Sequence, residues 1–152
     1  MSIFIHHGGI KSYLKKCPIS SLLILTNTVM YLITVFMKGN FTLNLVKLGG
    51  LVPSLIKYEE EYYRLLAPIF LHWSFIHYLM NTFFGIMVIS AGLERLIGSF
   101  RYLIIYICTG LISSLFVFYF EDPVSLTVGA SGAIYGVMGC FLYIIFLKPH
   151  LL

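Results

Sequence analysis

The chain has 152 residues, of which 59% are hydrophobic and only 11% are charged, and its mean hydropathy is +0.94. Soluble domains carry about 25% charged residues, so ordinary soluble, disordered and fibrous proteins are excluded and a membrane protein is predicted. The net charge is +4, but the ten basic residues form no run. Their excess therefore indicates membrane topology, and nucleic acid is not expected as a partner.

Four stretches are apolar over roughly the 20 residues that a membrane-spanning helix needs. In chain order they cover residues 19–37, 75–92, 102–120 and 126–147. The first is too long for the core of a signal peptide, and no small-residue cleavage site follows it. The sequence thus predicts an all-α, polytopic membrane helical bundle. Residues 1–18 form a cytoplasmic N-terminal segment in this interpretation, and residues 19–152 form the membrane domain.

The distribution of Lys and Arg predicts that the N-terminus is cytoplasmic. In that orientation the inner segments hold six basic residues and one acidic residue, whereas the outer segments hold four basic and five acidic residues. This bias follows the positive-inside rule, and the composition fits a bacterial plasma membrane. The long loop of residues 38–73 is then outside. It is too apolar for disorder, so we expect short helices in the outer leaflet, interrupted by Gly49, Gly50 and Pro53.

The cysteines and histidines give no indication of a metal site. Cys17, Cys108 and Cys140 are odd in number and widely spaced, which predicts neither a disulfide framework nor a zinc site. No HExxH pattern is present, and no carboxylate adjoins the intramembrane histidine. We therefore expect no metal and no cofactor.

Two polar residues interrupt the second stretch. His77 and Asn81 are four residues apart, so a helix places them on one face, where both can donate hydrogen bonds to a common point. His72 is five residues before His77 and is predicted to point elsewhere, nearer the outer surface. The alternative is that His77 and Asn81 make an interhelical hydrogen bond that stabilises the bundle.

The segment Gly129-Ala130-Ser131-Gly132 is predicted to stand where the fourth helix begins, at its outer end. The glycines leave the hydroxyl of Ser131 accessible, and the N–H groups at a helix start have no intrahelical acceptor. Acyl transfer needs these two features, a nucleophile and donors for the oxyanion. The alternative is close helix packing along Gly132, Gly136 and Gly139. The topology puts Ser131 at the depth of His77 and Asn81, which predicts a site.

Four segments, taken in order, resemble the rhomboid intramembrane serine proteases. They are residues 61–72, the HxxxN motif with its preceding histidine at 72–81, the Gly-Leu-Glu-Arg segment at 92–98 and the GxSG motif at 129–132 followed by Tyr135 and Gly136. The resemblance covers residues 45–147. It implies a bundle of six spans, four of them present, that cleaves transmembrane protein substrates near their outer ends in the lipid bilayer.

The resemblance also implies roles for single residues. Ser131 would be the nucleophile, and His77 and Asn81 would form the oxyanion hole with the N–H of Ser131. Tyr135 would pack against the general-base histidine, and His72 would support a water-filled site beside the hole. Two groups complete the set: supporting glycines and structural charged residues, namely Gly129, Gly132, Arg64, Glu94 and Arg95.

The chain departs from the family pattern in its general base, which the family takes from a sixth span. His6 and His7 are N-terminal, and His150 lies 19 residues beyond Ser131, about 28 Å along a helix axis. We therefore expect a C-terminally truncated rhomboid protease that is inactive as it stands, with Gly132, Gly136 and Gly139 exposed to lipid. A pseudoprotease that binds membrane clients without cleavage is the alternative, and a transporter or channel subunit is a third interpretation.

Overall fold

The computed structural model describes residues 9–147, and helices account for nearly all of its regular structure. A short helix, Gly9–Lys16, precedes the first span, Pro18–Phe36. The second span, Phe75–Ile97, and the third span, Ser99–Phe120, follow the long loop. The fourth long helix is Ser131–Leu147.

The predicted membrane bundle is confirmed in its main features. The first three spans have 19, 23 and 22 residues and are apolar enough to cross a membrane. The fourth long helix is also apolar, but it has 17 residues and begins at Ser131 rather than at residue 126. The later start has a physical cause, because Gly129 has φ +130°, outside the helical region. Before it, Thr127 forms an antiparallel bridge with Leu51.

The second span differs from the predicted helix in the winding of its central part and in the residue at which it ends. Its central part, Met80–Ser90, has the wider π-helical winding, whereas Phe75–Leu79 and Ala91–Ile97 are α-helical. The helix continues to Ile97, so Glu94 and Arg95 are helical and do not lie in a loop. Gly98, with φ +87°, alone separates the second span from the third.

The loop between the first two spans contains short helices, as predicted. They are Phe41–Lys47 and Pro53–Glu59, followed by the 3₁₀ turns Tyr62–Leu65 and Ala67–Phe70. The side chain of Asn40 caps the first of them by accepting hydrogen bonds from the N–H groups of Thr42 and Leu43. Gly49, with φ +104°, ends that helix region, and Pro53 begins the next helix.

The fourth long helix packs most closely on the third span, through its glycines. A Cβ atom at Gly132 would lie 2.2 Å from Oγ of Ser113, and one at Gly136 would lie 2.3 Å from Cβ of Thr109. The expectation that the three glycines face lipid is therefore wrong for Gly132 and Gly136, which the third span covers. At Gly139 such a Cβ would meet no heavy atom of the described residues within 4 Å, so this glycine is open.

Candidate active site

Ser131 is the first residue of the fourth long helix and is half-buried. The first hydrogen bond of this helix runs from the N–H of Ile134 to the carbonyl of Ala130, at 3.0 Å. The N–H groups of Ser131 and Gly132 therefore have no acceptor within the helix. The preceding turn is fixed from outside, since the N–H of Gly129 donates to the carbonyl of Pro68 at 2.9 Å.

Asn81 and Ser131 line the same open cavity, which has a volume of about 210 Å³. Close packing one turn further along both helices brings them together: a Cβ atom at Gly85 would lie 2.4 Å from Cδ1 of Ile134. Asn81 is buried, and its Nδ2 donates to the carbonyl of His77 at 2.9 Å. A carboxamide has two N–H donors, so one remains for a group in the cavity.

His77 adjoins the same serine through Gly129. A Cβ atom on Gly129 would lie 2.8 Å from both Cε1 and Nε2 of His77 and 3.7 Å from Oγ of Ser131. Any other residue at position 129 would collide with the imidazole, and its φ of +130° would add strain. The structure thus brings Ser131, His77 and Asn81 to one place, with Gly129 between the first two.

The other ring nitrogen of His77 is engaged by the backbone. The N–H of Trp73 donates to Nδ1 of His77 at 3.3 Å. A neutral imidazole has one donor and one acceptor nitrogen, so this bond assigns the proton to Nε2. That nitrogen faces Gly129 and Ser131 as a donor. This contact could not be predicted from the sequence, because every residue except proline has a backbone N–H and its direction depends on the fold.

His72 is the clearest correction to the sequence analysis, because it does not point away from His77. The two rings meet edge to face with centroids 5.2 Å apart, and His72 is fully buried. Helical spacing does not apply to His72, because the helix begins only at Phe75, after Ser74 as its N-cap. Burial, with a smaller effect from neighbouring His77, lowers the pKa of His72 to about 3.

An aromatic cluster, made of Tyr31, His72 and Tyr78, connects this region to the first span. The rings of Tyr31 and Tyr78 stack with centroids 4.7 Å apart, and the ring of Tyr78 meets that of His72 at 5.8 Å. The hydroxyl of Tyr78 is 2.8 Å from that of Thr28. This cluster was not predicted from the sequence. The available signal was His72 before the HxxxN motif and Tyr78 within it.

Arg64 ties the long loop together and lies away from the cavity residues. Its side chain is 4% exposed, and Nη1 donates to the carbonyls of Val46 and Gly50 at 2.7 and 2.8 Å. Its Nε pairs with the carboxylate of Glu61. These contacts are those expected of a residue that holds loop backbone in place.

Glu94 lies near the end of the second span and joins it to the starts of the first and third spans. Its buried carboxylate accepts hydrogen bonds from the N–H groups of Ile19 and Ser20, at 2.9 and 2.8 Å, and from the hydroxyl of Ser99 at 2.7 Å. It therefore caps the N-terminus of the first span and contacts the first residue of the third. Nε of Arg95 donates to the carbonyl of Ala91 within the second span.

Tyr135 lines the cavity one turn after Ser131, and it is 69% exposed. A second, smaller cavity of about 50 Å³ lies between Ser131 and the third span, beside Gly110, Ser113 and Ser114. Within residues 9–147, no group of three or more His, Cys, Asp or Glu side chains is placed to hold a metal ion. Three histidines named above lie outside the described residues: His6, His7 and His150.

Comparison with known proteins gives one family. The family model described as Rhomboid domain matches residues 59–152, more than half of the chain. The chain is 40% identical over 103 residues to rhomboid protease GluP of Bacillus subtilis, across 68% of this chain. It is 36% identical over 92 residues, 60% of this chain, to YdcA of the same organism. It is 34% identical over 108 residues, 68% of this chain, to RHOMBOID-like protein 1 of Arabidopsis thaliana.

The chain spans less than half the length of these relatives. The matched segments cover 46% of YdcA, 20% of GluP and 26% of RHOMBOID-like protein 1. All of the candidate site residues from Arg64 to Tyr135 fall within the range that the family model matches.

Proposed function

Because the chain belongs to the rhomboid family of multi-pass membrane proteins, we propose that it is an intramembrane serine endopeptidase, or part of one, that cleaves transmembrane proteins near the outer membrane face. The observation that carries this proposal is the meeting of Ser131 with His77 and Asn81. A hydroxyl at a helix start, two side-chain donors and an open cavity supply what acyl transfer to a serine requires apart from a general base.

In the proposed reaction, Oγ of Ser131 attacks the carbonyl carbon of the scissile peptide bond. The C–O bond that forms gives a tetrahedral oxyanion, which accepts hydrogen bonds from Nε2 of His77, Nδ2 of Asn81 and the N–H of Ser131. The C–N bond then breaks, and the proton taken from the serine goes to the leaving amine. Water hydrolyses the resulting acyl-enzyme and restores the hydroxyl. The tautomer of His77 supports its place as a donor.

His77 is poorly suited to be the general base. To accept the serine proton, His77 would need a free lone pair on Nε2. Because Nδ1 accepts the hydrogen bond from Trp73, the proton of the neutral ring is on Nε2, and Nε2 has no free lone pair. His72, with a pKa of about 3, is a weak base at neutral pH. We propose that the base is not among residues 9–147 and that the 152-residue chain alone does not cleave protein. The family resemblance implies a histidine on a further span.

The remaining proposed roles are structural or supporting. The contacts of Arg64 and Glu94 support structural roles, the first in the loop and the second where the spans begin and end. Gly129 and Gly132 allow His77 and Ser113 to approach the serine. Tyr135 is exposed at the cavity, which supports the proposed packing against a base histidine, and His72 packs against His77.

The proposed orientation places the N-terminal segment in the cytoplasm and the loop of residues 38–73 outside, in a bacterial plasma membrane. The excess of Lys and Arg on the inner side supports it. A pseudoprotease that holds membrane clients is the alternative function. The placement of Asn81 in the cavity that Ser131 lines, and of His77 beside Gly129, favours the protease, because client binding needs none of the three.

Cleavage of a transmembrane reporter tests the proposal. The chain would be co-expressed with a fragment that supplies the two further spans implied by the family resemblance. We expect cleavage that Ser131→Ala abolishes, while Ser113→Ala, a change at a neighbouring serine on the third span, leaves most of it. Client binding without cleavage, unchanged in Ser131→Ala, would instead establish the pseudoprotease.

A further inference from the structure

A second groove lies where the third span ends, apart from the candidate active site. It has a volume of about 340 Å³ and runs between the helix Pro53–Glu59 and residues 118–123. None of its lining residues lines either cavity beside Ser131. We call it the loop groove, and the lining residues that matter here are Ser54, Lys57, Tyr58, Tyr119 and Glu121.

The loop groove carries one positive and one negative charge. Lys57 and Glu121 both line it and both are exposed. In the part of the chain that the structure describes, Lys57 and Glu121 form no salt bridge with each other. The ammonium of Lys57 lies 5.4 Å from the ring centroid of Tyr58. Two opposite charges held in one groove suit a ligand that has both.

The walls of the loop groove are joined to each other. The N–H of Ser54 donates to the carbonyl of Pro123 at 2.8 Å, which fixes the short helix to the end of the third span. Pro53, at the start of that helix, is buried. The position of the charges therefore does not depend on a free loop.

The surroundings of the loop groove place it at the level of lipid headgroups. The third span ends at Phe120, and the last two rings of the span, Tyr119 and Phe120, are 71% and 73% exposed. Exposed aromatic residues at the end of a span are typical of the membrane interface. Below them the span is apolar, so a molecule in the groove can extend acyl chains along it.

We propose that the loop groove binds the headgroup of a zwitterionic phospholipid with a primary ammonium, of the phosphatidylethanolamine type. The phosphate contacts the ammonium of Lys57 and the hydroxyl of Ser54. The lipid ammonium contacts the carboxylate of Glu121 and the ring of Tyr119. This binding site is independent of the proposed protease activity.

The charges around the groove select this headgroup over two others. An anionic headgroup such as phosphatidylglycerol meets Glu121, and further carboxylates lie close in sequence, at Glu59, Glu60 and Asp122. A choline headgroup has the same net charge as ethanolamine, but its trimethylammonium has no N–H to donate to Glu121. The expected order of affinity is therefore ethanolamine, then choline, then glycerol.

Native mass spectrometry of the 152-residue chain in detergent tests the proposal. Phosphatidylethanolamine, phosphatidylcholine and phosphatidylglycerol with identical acyl chains would each be titrated. We expect the first to be retained most strongly, and Lys57→Gln to weaken its binding about two- to fivefold, as for an exposed charge contact. Lys47→Gln, which removes an exposed lysine outside the groove, is the matched control and should change nothing.

Glu121→Gln gives a second, opposite readout. It should weaken binding of phosphatidylethanolamine and strengthen that of phosphatidylglycerol, because the repulsive carboxylate is gone. Soluble glycerophosphoethanolamine should compete, since the headgroup carries the recognition. Equal retention of the three lipids, or equal losses in Lys57→Gln and Lys47→Gln, would overturn the proposal.

Discussion

The N–H of Trp73 donates a hydrogen bond to Nδ1 of His77, and Nε2 on the far side of that ring faces Gly129 and Ser131. A single backbone contact thus assigns the tautomer of the imidazole. It makes His77 a donor toward the serine and leaves the proton of the serine hydroxyl without an acceptor there. The proposed roles of Ser131, His77 and Asn81 follow from this arrangement.

Asn81→Ala should reduce cleavage without unfolding the protein. With the further spans supplied, we expect kcat to fall by about 10²–10³, because loss of one oxyanion donor typically costs about 2.7–4 kcal/mol in the transition state. The thermal midpoint should change little. Thr82→Val is the matched control, since Thr82 is the buried neighbour and its hydroxyl has no hydrogen-bond partner among residues 9–147. A fully active Asn81→Ala, or equal losses in both variants, would favour interhelical stabilisation alone.

Acid should destabilise the fold through His72. Its pKa is about 3 in the folded protein and about 6.5 in an unfolded chain. Between these values the unfolded state binds more protons, so stability falls as the pH falls from 6.5 toward 3, by up to about 1.4 kcal/mol per pH unit. The measurement is the thermal midpoint at pH 7, 5.5 and 4.5. His72→Gln, which cannot titrate, should show a shallower dependence, and parallel curves would contradict the assignment.

Two glycines of the fourth long helix should respond in opposite ways to alanine. Gly136→Ala places a methyl group 2.3 Å from Cβ of Thr109 and should destabilise the bundle by about 1–3 kcal/mol, as overpacking does. Gly139→Ala meets no neighbour among the described residues and should stabilise the helix by up to about 1 kcal/mol. Thermal midpoints of the two variants, compared with the unchanged chain, check both signs. Equal shifts would mean that the third span does not cover Gly136.

The orientation can be tested by labelling single cysteines, after Cys17, Cys108 and Cys140 are replaced. A cysteine at Gly39 should react with an impermeant maleimide added to intact cells, because residues 38–73 are placed outside. A cysteine at Arg101 or at Leu152 should react only after the membrane is opened. Labelling at Arg101 in intact cells would invert the proposed topology.

The spans could be predicted from the sequence, because an uncharged apolar run of about 20 residues is seldom found outside a membrane helix. The sequence also predicted that the GxSG motif would stand at the outer end of the fourth helix, although the apolar stretch was expected to begin at residue 126, five residues before Ser131. The rotation of each helix could not be predicted. The glycine spacing offered close helix packing as an alternative. Because the spans are apolar on all sides, the sequence did not indicate that Thr109 and Ser113 would be the residues that cover Gly136 and Gly132.

The environment of His77 was only partly predictable. Its spacing from Asn81 placed the two residues one turn apart, and Nδ2 of Asn81 donates a hydrogen bond to the main-chain carbonyl of His77. The predicted orientation of His72 was wrong, because helical spacing was assumed for residues that precede the N-cap at Ser74. The contact with Trp73 was unpredictable, because it uses a main-chain group whose direction depends on that same helix start.

Fluorophosphonate labelling tests most directly the claim that Ser131 is a nucleophile whose base lies outside residues 9–147. We expect no Ser131-dependent labelling of the 152-residue chain alone. Labelling should appear when a fragment with the two further spans is co-expressed, and Ser131→Ala should abolish it. Labelling of the chain alone that disappears in Ser131→Ala would contradict the account and make His77 the base, and no labelling in either case would contradict the nucleophile itself.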